Sequence, residues 1–361
     1  MKRSAVLFLL VMHVAWAKTI VIEAKLPQTL PQALYDIAAP RVKNTGWSQQ
    51  EAPTKVRQFL AGKETDAEKI EVLTWWAAQA ARPDFFFDLA ARCARAEQKD
   101  HAIYWLQRAA REDVCDTGEL AADERFACLK SDHRWPKILD FLRACEAHWQ
   151  TTAFYRDVLT LPDSYDGKSP ISLVIGLHGY GSMPEDFAGA DFQKICDTQN
   201  IAFLGVSGRR PLGRHAFMWT ESFEKDLQHV EQAILRCRSS MQIAPGRSAA
   251  VGFSQGGQLA AEITASQPKQ YRGCLSMSPG SRYPSGLIER LRLERSLSGQ
   301  RYFFTWISGE GAGPKLRVQN WRSALSEKQA IVHEYEFPGK GHEWPKNYED
   351  YFAITLQVLL H

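Results

Sequence analysis

The chain has 361 residues, 45% of them hydrophobic and 24% charged, with 11 Trp; that apolar content can bury a core and excludes disordered, collagen-like and low-complexity classes. Its length exceeds the ~100–200 residues of a single domain, so two folding units are expected. With 44 basic and 41 acidic side chains the formal net charge is +3, too near balance for the electrostatic footprint of a nucleic-acid binder, and a small molecule or a protein is the expected partner.

Residues 1–17 carry Lys2-Arg3, an apolar run over 5–14 and the triplet Ala15-Trp16-Ala17. A basic start, ~7–15 apolar residues and a small-x-small site are the layout of a secretory signal peptide. A membrane anchor needs ~20 apolar residues. This run is shorter and contains His13, and no later run is long enough. An exported protein is expected, periplasmic or secreted, without a transmembrane anchor. Export would expose the 7 Cys to oxidising conditions. An odd number leaves at least one thiol unpaired. Bridges are expected among the cysteines of 93–145 and between Cys196 and Cys237, while Cys274, in Gly273-Cys274-Leu275, reads as a buried inert thiol. No His/Cys spacing resembles a zinc site, and no metal is expected.

Residues 18–150 are read as a helical domain, because from about Gln32 to Trp149 apolar residues recur every three to four positions. Within it, residues 84–111 place small Ala90, Ala102 and Ala109 among larger Phe86, Leu89 and Leu106. This spacing is similar to one tetratricopeptide unit, in which small residues let two helices approach closely. The resemblance implies a stacked helical surface able to dock another protein or the enzyme's substrate; a plain helical support packed on the second domain is the alternative. The Pro that would close such a unit is missing, since Val114 and Cys115 stand there.

Residues 151–361 are read as an α/β domain. Strand-like runs at 154–161, 171–177, 201–206, 248–252, 273–277, 302–307 and 331–337 alternate with helical patterns at 186–198, 223–239, 257–266, 285–295 and 315–328. Such alternation builds a mostly parallel sheet covered on both faces. Gly252-Phe253-Ser254-Gln255-Gly256 falls between a buried run and a helix, the strand–turn–helix context that G-x-S-x-G requires. Its Ser254 is a candidate nucleophile needing a neighbouring base. His178-Gly179-Tyr180-Gly181 follows the strand at 171–177. The backbone N–H groups of Tyr180 and Gln255 are candidate donors to an oxyanion, and His178 is read as structural. His342, in Gly341-His342-Glu343 near the C-terminus, is the candidate base.

Together Leu161-Pro162-Asp163-Ser164-Tyr165-Asp166-Gly167, Leu177-His178-Gly179-Tyr180-Gly181, Gly252-Phe253-Ser254-Gln255-Gly256-Gly257 and Gly339-Lys340-Gly341-His342-Glu343-Trp344-Pro345 resemble the carboxylesterases of the α/β-hydrolase superfamily. The likeness is to the phospholipase/carboxylesterase group and to secreted polyhydroxybutyrate-depolymerase or feruloyl-esterase-like groups. It implies a Ser–acid–His esterase acting on small-molecule or polymeric esters with no metal or organic cofactor. The chain departs from that pattern at the acid: relatives carry Gly-x-x-Asp after the penultimate strand, whereas here Ser308-Gly309-Glu310-Gly311-Ala312 puts Ala312 at the Asp position. Glu310 is the candidate acid, the one carboxylate between Arg301 and Ser326. Glu343, Glu336 or no acid at all are the alternatives.

Trp219, in a loop with Arg209, Arg210 and Arg214, and Trp344 are candidate walls of a substrate cleft at the strand C-termini. A rival reading is a catalytically weak or inactive hydrolase-fold binding protein that uses the helical domain as a docking surface. The same residues would also suit a peptidase or acyltransferase, because a fold does not fix the acyl acceptor.

Overall fold

The computed structural model describes residues 18–25, 30–48, 51–79, 86–113, 117–220, 222–280, 285–293, 296–345 and 348–360. The leader expected at 1–17 and Cys115 lie outside them. Contacts divide the chain into two units: residues 27–153 with 210–216, and 1–26 with 154–209 and 217–361.

The first unit is helical. It contains α1 (Ala52–Ala61), α2 (Asp66–Gln79), α3 (Phe86–Arg95), α4 (Lys99–Glu112), α5 (Thr117–Ala122), α6 (Ala127–Lys130) and α7 (Trp135–Thr151). The small residues Ala90, Cys93, Ala102 and Ala109 are all buried where α3 packs on α4. Burying their apolar faces builds a core that also takes in Trp75, Phe86, Trp105 and Phe141.

The second unit holds β1 (Lys18–Glu23), β2 (Arg156–Leu161), β3 (Ile171–Leu177), β4 (Ile201–Val206), β5 (Ile243–Phe253), β6 (Tyr271–Met277), β7 (Arg301–Gly309) and β8 (Ile331–Lys340). They form one sheet in the order β1-β2-β4-β3-β5-β6-β7-β8. β1 and β2 pair antiparallel, as do β2 and β4, and every later pair is parallel. Its helices are α8 (Ala190–Gln199), α9 (Phe223–Cys237), α10 (Gln255–Ser266), α11 (Leu287–Leu293), α12 (Gly313–Glu327) and α13 (Glu349–Leu360).

Successive strand residues point to opposite faces, so β3 sends Leu173, Ile175 and Leu177 to one core and Val174 to the other. The first core is covered by α9, α10, α11 and α12, the second by α8 and α13. All seven residues of β3 are buried, as expected for a strand covered on both faces.

Three expectations need correction. β1 belongs to the sheet, pairing Lys18 with Leu161 and Glu23 with Arg156, so the helical segment does not begin at 18. The bridge expected between Cys196 and Cys237 is absent: Cys196 on α8 lies in one core and Cys237 on α9 in the other, on opposite faces of the sheet. Cys93, Cys128 and Cys145 are likewise free thiols.

Candidate active site

β5 ends at Phe253 and α10 starts at Gln255, leaving Ser254 alone at the bend with φ 54° and ψ −118°. A non-glycine residue at positive φ is strained, and such strain persists only where the surroundings impose it. Here the Ser254 N–H donates to Met277 O (2.9 Å), and its carbonyl accepts from the N–H groups of Gln258 (3.1 Å) and Gly280 (3.0 Å). Glycines allow the sharp turn. A Cβ at Gly252 would stand 2.1 Å from Gly256 O, and one at Gly256 would stand 1.9 Å from Leu177 O.

The two other chemistry-bearing side chains come from neighbouring strand ends. β8 runs parallel to β7 as far as Phe337 opposite Ile307; an irregularity then leads to Lys340 opposite Gly309. A local extra residue of this kind redirects the chain beyond it, and the residues after the two ends, Glu310 and His342, emerge side by side. His342 Nε2 lies 2.7 Å from Ser254 Oγ, and His342 Nδ1 lies 2.7 Å from Glu310 Oε2. The His342 side chain is partly exposed, whereas that of Glu310 is fully buried. The remaining Glu310 oxygen, Oε1, accepts from the Ile307 N–H (2.8 Å) and the Ser278 hydroxyl (2.9 Å). The Phe253 ring lies against the imidazole with centroids 5.0 Å apart, and half-buried Trp344 stacks on Phe253 at 5.3 Å.

The alternative acids are accounted for. Glu343 is exposed, and Glu336 accepts from Trp306 Nε1 (2.8 Å) and Lys315 Nζ (3.2 Å). Ala312 is the N-cap of α12.

Behind the serine, Gly179 passes so close that a Cβ there would lie 3.4 Å from Ser254 Cβ, which brings the turn bearing Tyr180 against Ser254. The Gln255 N–H is the first of α10, one of the donors a helix leaves without an internal partner. His178 is buried. Its Nε2 accepts from the Gly208 N–H (2.7 Å), so Nδ1 carries the proton and donates to Gly179 O (2.6 Å). Burial pushes the pKa of this ring down to about 4.

Trp219 is not a cleft wall. It is 1% exposed, its Nε1–H donates to His178 O (2.9 Å), and its backbone is clamped by the Gln255 side chain, which accepts from Trp219 N–H (3.0 Å) and donates to Trp219 O (2.9 Å). An indole is large and apolar apart from one donor, so once that donor is satisfied burial is favourable. Residues 210–216, which include Arg210 and Arg214, cluster with the helical unit. Ser278 and Phe253 contact the site without having been singled out in the sequence.

The strand order, with two antiparallel pairings, β1 with β2 and β2 with β4, leading into parallel strands, and a strained serine between β5 and α10, decides the architecture. The chain has the α/β-hydrolase fold. No family model matches the chain. Over 123 residues it is 26% identical to a probable feruloyl esterase C of Aspergillus niger, and over 124 residues 27% identical to one of Aspergillus clavatus; each match covers 34% of this chain and 45% of the relative. The chain thus matches less than half the length of these curated relatives. Among solved structures, a ferulic acid esterase from Anaeromyces mucronatus in complex with ferulic acid gives a TM-score of 0.46 at 16% identity, covering 59% of this chain and 87% of that one. An S-formylglutathione hydrolase from Agrobacterium tumefaciens gives 0.47 at 10% identity, covering 59% and 92%. A Bacillus cereus carboxylesterase gives 0.44 at 14% identity, covering 59% and 98%. Among the described residues of the α/β-hydrolase chain, no helix is long and apolar enough to cross a membrane.

Proposed function

We propose that this chain is an exported serine hydrolase that cleaves carboxylic esters through an acyl-enzyme. Ser254 Oγ attacks the ester carbonyl carbon as His342 Nε2 takes its proton. The charge that develops on the carbonyl oxygen meets the backbone N–H groups of Tyr180 and Gln255, each such donor contributing about 3–4 kcal/mol in comparable sites. The tetrahedral species collapses, the C–O bond to the alcohol breaks, and the alcohol leaves with the proton held by His342. Water then attacks the acyl-serine with His342 again as base, and the carboxylic acid departs. No step draws on a metal or an organic cofactor.

The observation that carries this reading is the continuous relay Ser254 Oγ, His342 Nε2 and Nδ1, Glu310 Oε2, with both contacts at 2.7 Å. With Oγ donating to Nε2, the proton on Nδ1 faces the carboxylate, which orients the ring and stabilises its charged form. Disabling the carboxylate of a comparable triad lowers kcat by roughly 10⁴, or about 5.5 kcal/mol of barrier. With a carboxylate bonded to the imidazole, the absence of Asp at position 312 no longer favours a non-catalytic binder. For the acyl group we favour an aryl or hydroxycinnamoyl moiety, in small or polymeric esters. The named relatives are probable feruloyl esterases, and half-buried Trp344 offers an aromatic surface next to the Phe253–His342 pair.

The test is turnover of an activated short-chain aryl ester by Ser254→Ala. The variant should fold as the parent does and hydrolyse the ester at no more than the background rate. Turnover within tenfold of the parent would refute Ser254 as nucleophile.

A further inference from the structure

We infer that Ser278 is a positioning residue for the carboxylate of Glu310, an inference that rests on the hydrolase reading above. A glutamate reaches farther than an aspartate and has one more rotatable bond to restrain. Glu310 is flanked by Gly309 and Gly311, the latter at φ 92°; its N–H donates to Ile307 O (3.2 Å), which holds the turn but leaves the long side chain to be restrained by its own partners. The bond from the Ile307 N–H is local to the same turn. Apart from His342 itself, which holds Oε2, the bond from Ser278 Oγ to Oε1 is, among the described residues, the one that ties the carboxylate to a different strand end.

That strand end also holds the nucleophile. Met277 O accepts from the Ser254 N–H, and the Gly280 N–H donates to Ser254 O. Ser278 itself is anchored through its N–H to Thr305 O on β7 (2.7 Å). Residues 277–280 therefore tie the serine and the carboxylate to a single short segment, and the relay keeps its register only while both ends are held.

The backbone of Ser278 indicates that its hydroxyl is the reason for the residue. Its φ is 45° and it is 1% exposed. This conformation favours glycine, and glycine would fit the turn without strain. A serine adds a hydroxymethyl group, whose Cβ only increases the strain at this φ and whose hydroxyl donates to Glu310. A carboxylate offers acceptors only, so the direction of the bond is fixed.

The experiment uses the full chain and steady-state kinetics on an activated aryl ester. Ser278→Ala removes the hydroxyl at unchanged backbone strain, and Ser278→Gly removes it while relieving that strain. Each is made alone and together with Glu310→Ala. Either substitution alone should lower kcat about tenfold, equivalent to ~1.4 kcal/mol, with KM within twofold. Neither should lower kcat further once Glu310 is alanine, because residues that act through one another are not additive. Parent-like kcat in Ser278→Gly or Ser278→Ala would overturn the inference, and so would an equal loss with and without Glu310. Failure of the hydrolase reading is separately visible, as parent-like turnover by Ser254→Ala whatever Ser278 does.

Discussion

His178 stands at the end of β3 as a residue whose chemistry is set by its surroundings. Both ring nitrogens are engaged by backbone, and burial holds its pKa at about 4, against ~6.5 for a free imidazole. Between those values the unfolded chain binds a proton that the folded chain refuses. Stability therefore falls as pH drops from about 6.5 to about 4 and loses no more below that, a total on the order of 3 kcal/mol from this ring. His178→Asn has nothing to titrate there. Urea midpoints taken between pH 7.5 and 4.5 should show the gap between parent and variant narrowing in acid, and parallel curves would contradict the assignment. Such local control also explains which residues could be read from the sequence. The placement of Ser254 and His342 was legible because a strand–turn–helix motif and a late loop mark candidates by position, and the structure brings the two within 2.7 Å. Glu310 was legible as the one carboxylate in its stretch. Trp219 was not, because a residue in a long loop reads as exposed until Gln255 is seen to clamp it inward. Ser278 was not, because its bond to Glu310 depends on the side-by-side placement of the ends of β6 and β7, which no local pattern records.

Among the elements, β5, the bend and α10 form the most constrained piece. The carbonyl of Leu177 on β3 would sit 1.9 Å from a Cβ on Gly256, whereas a Cβ on Gly313, at the start of α12, would meet nothing within 4 Å. Backbone cannot yield as a side-chain tip does. Gly256→Ala should therefore destabilise by ~3 kcal/mol or more, at or beyond the usual range for overpacking, while Gly313→Ala stays within about 0.5 kcal/mol of the parent. Equal urea midpoints for the two variants would show the bend to be softer than this. The parallel strands were legible as continuous apolar runs, and β3 and β4 begin and end where their sequence patterns do. β1 was not: six residues directly after the expected leader pair with a strand starting more than a hundred positions later, and pairing at that distance leaves no periodic mark. α13 also went unread. It is apolar over much of its surface, with Ile354 and Val358 exposed as well as Leu356 and Leu359 buried, which blurs the one-sided period of an amphipathic helix.

Across the whole molecule, the sheet of the α/β unit divides one hydrophobic core from another, and this division governs its thiol chemistry. A disulfide needs Cα atoms within ~7 Å. Cys196 belongs to the core beneath α8 and α13, and Cys237 to the core beneath α9 and α10, so the two cannot join without dismantling the sheet between them. Burial pushes Cys93, Cys145, Cys196 and Cys237 up to about 12 and raises Cys274 as well. The thiolate is the species that reacts, and at neutral pH these groups supply almost none. Iodoacetamide applied to the native chain, followed by mass spectrometry of its peptides, should leave these five unmodified over a time in which an unfolded sample is fully alkylated. The same treatment in urea without reductant should label Cys196 and Cys237 alike. If the two instead remain unlabelled there and their peptides are recovered as one cross-linked species, oxidation has joined residues that the sheet holds apart, and the two-core arrangement is wrong.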